Sequence, residues 1–292
     1  MSKKSAKAKG AGKEKLFGAA GFEEYYGKLY GDRWTAIKEA FAGQGSTVEY
    51  HVSGAEESYF LDSASVLAAL CLPLSGASEI LDLCAAPGGK TLVLASRMES
   101  DARLSSNERS PERKHRLSTV VQTCLPPEIS DRVITSCSDG ATWCTRQSEC
   151  FDRILLDAPC SSERHVIADS KYLNNWSPSR IKTVTTEQWA LLSSAYRLLR
   201  PQGILLYSTC ALCPEENDGM IERLYKKFNK DGNAFSLLEP EPELSQISAF
   251  APELTLPGFE KTEYGYMIMP DKEKGAGPIY FSIILKNYSI IS

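Results

Sequence analysis

Two cysteines stand where a thiol can act as a nucleophile. Cys160 follows Asp157-Ala158-Pro159 and Cys210 follows Ser208-Thr209, and each run closes an apolar stretch of strand character, Phe151–Asp157 and Gly203–Cys210. A cysteine thiol ionises near pH 8.5, so a few per cent is thiolate at neutral pH, and the thiolate is the attacking form. One reaction that needs such a group is alkylation of a pyrimidine at carbon 5, which is not nucleophilic in the resting ring. Sulfur adding to carbon 6 creates an enamine-like system that can attack a sulfonium methyl. An acid near the ring nitrogen favours that addition, and a base then removes the carbon 5 proton.

A second cluster precedes these cysteines. Leu81-Asp82-Leu83-Cys84-Ala85-Ala86-Pro87-Gly88-Gly89-Lys90-Thr91 reads as a strand, a small-residue turn and the start of a helix. Ala85, Ala86, Gly88 and Gly89 leave room for a ligand against the backbone. A phosphate-binding P-loop would need Gly where Cys84 stands, and the Gly-x-Gly-x-x-Gly spacing of dinucleotide sites is absent. A nucleoside cofactor without a pyrophosphate fits better. Glu108 closes the next strand, about twenty residues after the turn, where an acid can accept both ribose hydroxyls. Ser138-Asp139-Gly140 closes the third, and Asp139 could accept from an adenine amino group. One acid alone would be an ordinary solvated loop charge; three at successive strand ends form a pattern.

These residues need elements to position them. Strands are expected at Glu79–Cys84, Arg103–Glu108, Arg132–Cys137, Phe151–Asp157 and Gly203–Cys210. Helices are expected from Lys90 to Met98, from Pro111 to about Thr123, and from Pro214 to about Phe228. A further helix is expected from Thr185 to Arg200, opened by a capping box between Thr185 and Gln188. Tyr266–Met269 and Ile279–Lys286 read as a closing pair of strands. The alternation implies a doubly wound α/β fold, a mostly parallel sheet with right-handed crossovers and an antiparallel C-terminal edge. Ligands of such sheets lie at the carboxyl ends of the strands, so both thiols and the three acids should face one crevice. Before the sheet, Tyr25, Tyr26, Leu29, Tyr30, Trp34, Ile37 and Phe41 recur at helical spacing. The expected organisation is a basic disordered tail at 1–15, a small N-terminal lobe at 16–75 and the sheet domain at 76–292.

At Leu81–Thr91, Asp157–Cys160 and Tyr207–Cys210 the chain resembles the RNA cytosine-5 methyltransferases of the Nol/Nop/Sun family, over roughly Tyr59 to Lys286. The double-cysteine signature is the specific part. The resemblance implies a Rossmann-like class I methyltransferase fold, S-adenosylmethionine as cofactor, and RNA (ribosomal or transfer RNA) as substrate. It implies Cys210 as the attacking nucleophile, Cys160 as the residue that helps release the product, Asp157 on the cytosine edge and Lys90 orienting the base. It places the cofactor among Asp82, Cys84, Ala85, Ala86, Pro87, Gly88, Gly89, Lys90, Glu108, Arg113, Asp139, Gly140 and Asp157. After Cys160 the chain departs from the common Ser-Gly-x-Gly continuation and reads Ser161-Ser162-Glu163-Arg164-His165. That variant, with Tyr59–Ser65 upstream, is similar to the short mitochondrial-type members.

Composition narrows the rest. The chain has 292 residues, 42% hydrophobic and 24% charged, as in an ordinary globular protein. No apolar run is long enough for a membrane span, and no secretory signal is apparent. A cytoplasmic setting is expected, with the mitochondrion as the alternative. Nine cysteines suit small buried thiols better than staples. Cys210 and Cys213 resemble half of a zinc site, but no second pair follows, and no metal is expected. The net charge is −4, and six lysines with one glutamate fall between residues 3 and 15, so RNA contact must come from local basic patches or that tail. Arg109, Arg113, Lys114 and Arg116 read as a solvated helix face, whereas Arg164 and His165, next to Cys160, are better placed to meet RNA.

Overall fold

Short runs of Ile, Leu and Val between polar turns make strands that can be buried on both faces only in a parallel sheet covered by helices. The computed structural model describes residues 16–229, 232–245 and 247–288, so the basic segment 1–15 lies outside the described residues. The chain opens with α1 (Gly18–Tyr30), α2 (Arg33–Ala42), the hairpin β1 (Thr47–Tyr50) and β2 (Tyr59–Asp62), and α3 (Ser63–Leu70). The parallel part follows as β3 (Glu79–Asp82), α4 (Gly89–Ala95), β4 (Arg103–Glu108), α5 (Pro111–Cys124), α6 (Pro127–Ser130), β5 (Val133–Cys137) and β6 (Phe151–Asp157). Then come α7 (Glu163–Ala168), α8 (Ser170–Asn174), α9 (Pro178–Leu198), β7 (Leu199–Thr209) and α10 (Asp218–Phe228). The end is β8 (Phe235–Leu238), α11 (Ile247–Phe250), β9 (Glu260–Lys261), β10 (Tyr266–Ile268) and β11 (Ile279–Lys286).

The large sheet has the order β5-β4-β3-β6-β7-β11-β10-β9, with β8 also paired to β11. Strands β3 to β7 are parallel, and β11 runs antiparallel to β7, β8 and β10. The fold is the expected doubly wound one with an antiparallel C-terminal edge. From β3 the chain builds outward through β4 and β5, then returns to the other side with β6. The crevice therefore opens between the ends of β3 and β6.

Side chains alternate across the sheet and feed two cores. Ile80, Leu155 and Leu206 face one core with Leu67, Leu92 and Leu117 of α3, α4 and α5. Leu81, Leu156 and Tyr207 face the other with Leu192 of α9, Ile221 of α10, and Phe22, Tyr26, Trp34 and Ile37 of the first two helices.

Several expectations change. The helical stretch before residue 42 is two helices, broken where Gly31 takes φ 55°. Helix α9 starts at Pro178, two turns ahead of the expected capping box, because proline pre-sets the first turn and Ile181 is buried one turn in. Thr185 is inside the helix, its hydroxyl donating to the Lys182 carbonyl at 3.1 Å. Helices α7 and α8, of six and five residues, are too short to show a period and were not expected.

Candidate active site

Strands β6 and β7 are neighbours, and their register sets Asp157 beside Ser208. Ser208 Oγ donates to Asp157 Oδ1 at 2.8 Å, and Lys90 Nζ donates to Asp157 Oδ2 at 2.8 Å. Lys90 also reaches Ser65 Oγ at 3.3 Å. Burial disfavours the Lys90 ammonium, but the Asp157 charge and hydrogen bond outweigh it and hold Lys90 above its ordinary value.

Past these strand ends the two thiols meet, Cys160 Sγ lying 2.9 Å from Cys210 Sγ. The pair is polarised. A hydrogen bond from Cys160 lowers the Cys210 thiol below its ordinary value against the opposing effect of burial, with help from the Ser162 hydroxyl. The same bond, reinforced by burial, raises Cys160 well above its ordinary value. Of the two, Cys160 holds its proton the more tightly and Cys210 is the readier to ionise.

Behind the thiols lie two buried carboxyl groups, Glu163 and Glu216, each 0% exposed. Glu163 accepts from Tyr26 Oη at 2.5 Å, from Ser161 Oγ, and from the Leu212 backbone N–H at 2.8 Å. Glu216 Oε2 accepts from Ser161 N at 2.9 Å and Gln188 Nε2 at 3.0 Å. Burial, then the Glu163 charge, pushes Glu216 up to about 7. Ser161 links the two carboxyls, and Glu163 ties the segment after Cys160 to the segment after Cys210.

The other half of the crevice is the small-residue turn. Asp82, Cys84, Ala85, Ala86, Pro87, Gly89, Lys90 and Asp157 line one cleft with Tyr59, Phe60, Leu61 and Ser65. Gly88 has φ 124°, and a Cβ there would come within 2.9 Å of Val120. A Cβ on Gly89 would come within 2.9 Å of the Tyr59 ring that borders the cleft. Glu108 accepts from Ser110 N at 2.9 Å and lies 3.3 Å from Arg113, which also donates to the Ala86 carbonyl at 2.6 Å. Asp139 accepts from Ala141 N at 3.1 Å at the next strand end. Gly140 is needed for packing, since a Cβ there would come within 2.8 Å of Leu83.

The donor set suits S-adenosylmethionine. Asp82 is 1% exposed, and burial pushes its carboxyl up to about 7. Thr91 Oγ1 donates to its Oδ2 at 2.7 Å, while Oδ1 has no partner among the described residues. A ligand ammonium would supply that partner. The Glu108 carboxylate closes the neighbouring strand.

Comparison with known proteins decides the family. Residues 69–267 match the sequence profile of the 16S rRNA methyltransferase RsmB/F family. The chain belongs to this RsmB/F family. It is 31% identical over 242 residues to the 5-cytosine rRNA methyltransferase NSUN4 of Xenopus laevis, a match covering 80% of this chain and 57% of that protein. It is 30% identical to the mitochondrial tRNA (cytosine(34)-C(5))-methyltransferase of Danio rerio, covering 83% of this chain and 64% of that one. The chain therefore spans about three fifths of these RsmB/F relatives. A methyltransferase homologue from Pyrococcus horikoshii shares the fold at 24% identity, with a TM-score of 0.66 over 91% of this chain and 94% of that one.

Arg164 donates to the Gly275 carbonyl at 2.5 Å and stacks 5.1 Å over Phe41. His165 is exposed and lies beside Tyr172 at 5.0 Å between ring centroids. Arg116 pairs with Glu112 on the exposed face of α5 and Arg109, ahead of that helix, pairs with Glu187, whereas Arg113 turns to Glu108 and the Ala86 carbonyl of the small-residue turn. Among the described residues no helix is long and apolar enough to cross a membrane, and no three His, Cys, Asp or Glu gather as metal ligands.

Sequence reasoning missed Asn107, Glu163 and Glu216. Asn107 Nδ2 donates to the carbonyls of Leu83 and Ser138 at 3.1 and 3.0 Å, tying three strand ends together. A polar residue one place before a strand-end acid was its only signal. For the glutamates no signal existed, because their partners come from distant segments.

Proposed function

We propose that this chain transfers a methyl group from S-adenosylmethionine to carbon 5 of cytosine in RNA through a covalent bond from Cys210. The observation that carries the reading is the polarised thiol pair, 2.9 Å apart at the ends of adjacent strands. Bound at the small-residue turn, S-adenosylmethionine supplies an electrophilic methyl. Cys210 Sγ adds to carbon 6 and the ring electrons move toward carbon 5. Asp157 and Lys90, held together at 2.8 Å, offer an acceptor and a donor to the edge of the base. Once Cys210 is bonded to carbon, Cys160 is the sulfur beside it. Carbon 5 takes the methyl as its bond to the sulfonium breaks, leaving S-adenosylhomocysteine; the carbon 5 proton then passes to a base, its electron pair returns to the ring bond and Cys210 leaves as thiolate, the step that Cys160 assists.

RNA is favoured over DNA because two cysteines are present: DNA cytosine enzymes place their nucleophile at the Pro-Cys position, where Cys160 alone would serve. Ribosomal and transfer RNA are the substrates named for the two relatives, and a mitochondrial setting is named for the Danio rerio protein. The test is RNA incubated with cofactor and each cysteine variant, then run on a denaturing gel. Cys160→Ala should hold an RNA-linked band that fails to release, and Cys210→Ala should give none. The opposite pattern exchanges the roles; no methyl transfer by the unaltered protein to any RNA sinks the reading.

A further inference from the structure

Cys160 lies between two backbone groups that are each bonded to a distant side chain. The Pro159 carbonyl before it accepts from Gln188 Nε2 at 3.0 Å, and the Ser161 N–H after it donates to Glu216 Oε2 at 2.9 Å. Gln188 Nε2 also donates to that same Glu216 oxygen at 3.0 Å, which closes a ring around the cysteine. Gln188 comes from α9. Glu216 comes from the turn before α10, where Tyr207 Oη donates to its backbone carbonyl at 2.7 Å. Both side chains are buried.

Two unfavourable features accompany this ring. Gln188 Oε1 and Glu216 Oε1 are buried with no partner among the described residues. Ser162, two residues past Cys160, takes φ 54°, a left-handed conformation disfavoured for serine. Stability alone does not favour such features; they gather where the surroundings fix a functional group. Here that group is Cys160 Sγ, set 2.9 Å from Cys210 Sγ.

We propose that Gln188 and Glu216 are positioning residues, which clamp the backbone on both sides of Cys160 and hold its sulfur beside Cys210 for product release. The proposal rests on the reading of Cys160 as the residue that assists that release. Both side chains act through Cys160 and not on the base. With the clamp cut, Cys160 drifts from the bond between Cys210 and carbon 6, and a displacement of about 1 Å costs on the order of a hundredfold in rate. Addition and methyl transfer need Cys210, so they persist, and the RNA stays linked to its sulfur.

The test uses the full chain, S-adenosylmethionine, and unmodified transcripts of ribosomal and transfer RNA. Gln188→Leu should transfer the first methyl per protein at close to the unaltered rate, then turn over about ten- to a hundredfold more slowly. A denaturing gel should show the RNA-linked band accumulating over the same period. Gln188→Asn, too short to reach Pro159 and Glu216 together, should do the same in milder form and serves if the leucine variant fails to fold. Glu216→Leu should accumulate the band, and Glu216→Gln, which keeps an acceptor for the Ser161 N–H, should lose most of that accumulation. Combined with Cys160→Ala, none of these changes should raise the linked fraction further, because the clamp works only through Cys160. First and later turnovers falling together with no linked band, or further stalling on top of Cys160→Ala, would overturn the clamp. Release from Cys160→Ala at the unaltered rate would overturn the underlying reading of Cys160 instead.

Discussion

At the ends of β3, β4 and β5 the three acids are held by near neighbours in sequence. Glu108 is held by Ser110, Asp139 by Ala141 and Asp82 by Thr91. Along β6 and β7 the partners are far apart in the chain. Tyr26 reaches Glu163, Glu163 reaches Leu212, and Ser161 reaches Glu216. The cofactor half is thus a series of separate local anchors, each of which can be lost alone. The thiol half is one buried network, in which removal of a member leaves several polar groups without partners. Substitutions should cost little stability in the first and act collectively in the second.

The largest effect expected from this contrast is on turnover. Cys210→Ala should lower it by about a thousandfold or more, which corresponds to about 4 kcal/mol of transition-state stabilisation, in a methyl-transfer assay. Cofactor binding, measured by calorimetry, should be unchanged. If binding falls with turnover, the two halves are not separable.

Next comes stability. Glu163→Ala removes the acceptor of three buried donors and should cost about 3 kcal/mol or more by denaturant unfolding. Asp139→Ala removes one exposed cap and should cost about 1 kcal/mol or less. Similar losses for both would erase the distinction.

Glu108→Ala should weaken S-adenosylmethionine binding about tenfold through lost charge-assisted hydrogen bonds, with the fold intact by circular dichroism. Unchanged affinity would remove Glu108 from the site.

The smallest effect is one of pH. The Asp82 carboxyl, ordinarily near 3.8, is raised to about 7. The folded protein therefore keeps a proton there that the unfolded chain releases, and this contribution to stability declines as pH rises from about 4 to 7. A cationic ligand group needs the ionised form, so affinity for S-adenosylmethionine should rise several-fold between pH 6 and 8, with net proton release. Calorimetry in buffers of different ionisation heat would show the release. A flat profile would leave the ammonium to another partner.

The same contrast governs what could be read from the sequence. The bounds of β4 and β6 and their terminal Glu108 and Asp157 were legible, because strand ends in a parallel sheet are marked by apolar runs that stop at a polar residue. The family's twin cysteines were legible for the same reason. The start of α9 was not, since Thr185 and Gln188 imitate a cap while Pro178 and buried Ile181 set the real one. Arg164 was legible as a charge beside Cys160 but not as the donor to Gly275, which lies over a hundred residues away. Glu163 carried no sequence signal: only its contacts with Tyr26 and Leu212 show that it is enclosed.

The bond from Tyr26 to Glu163 bears on how small a working piece of this protein can be. Helix α1 packs outside the sheet, and a cut placed before Glu79 would leave every strand of that sheet intact. It would also uncover the Glu163 carboxylate and let water into the space between the two thiol-bearing segments. The smallest excisable active unit therefore begins ahead of Phe22, not at the first strand of the sheet.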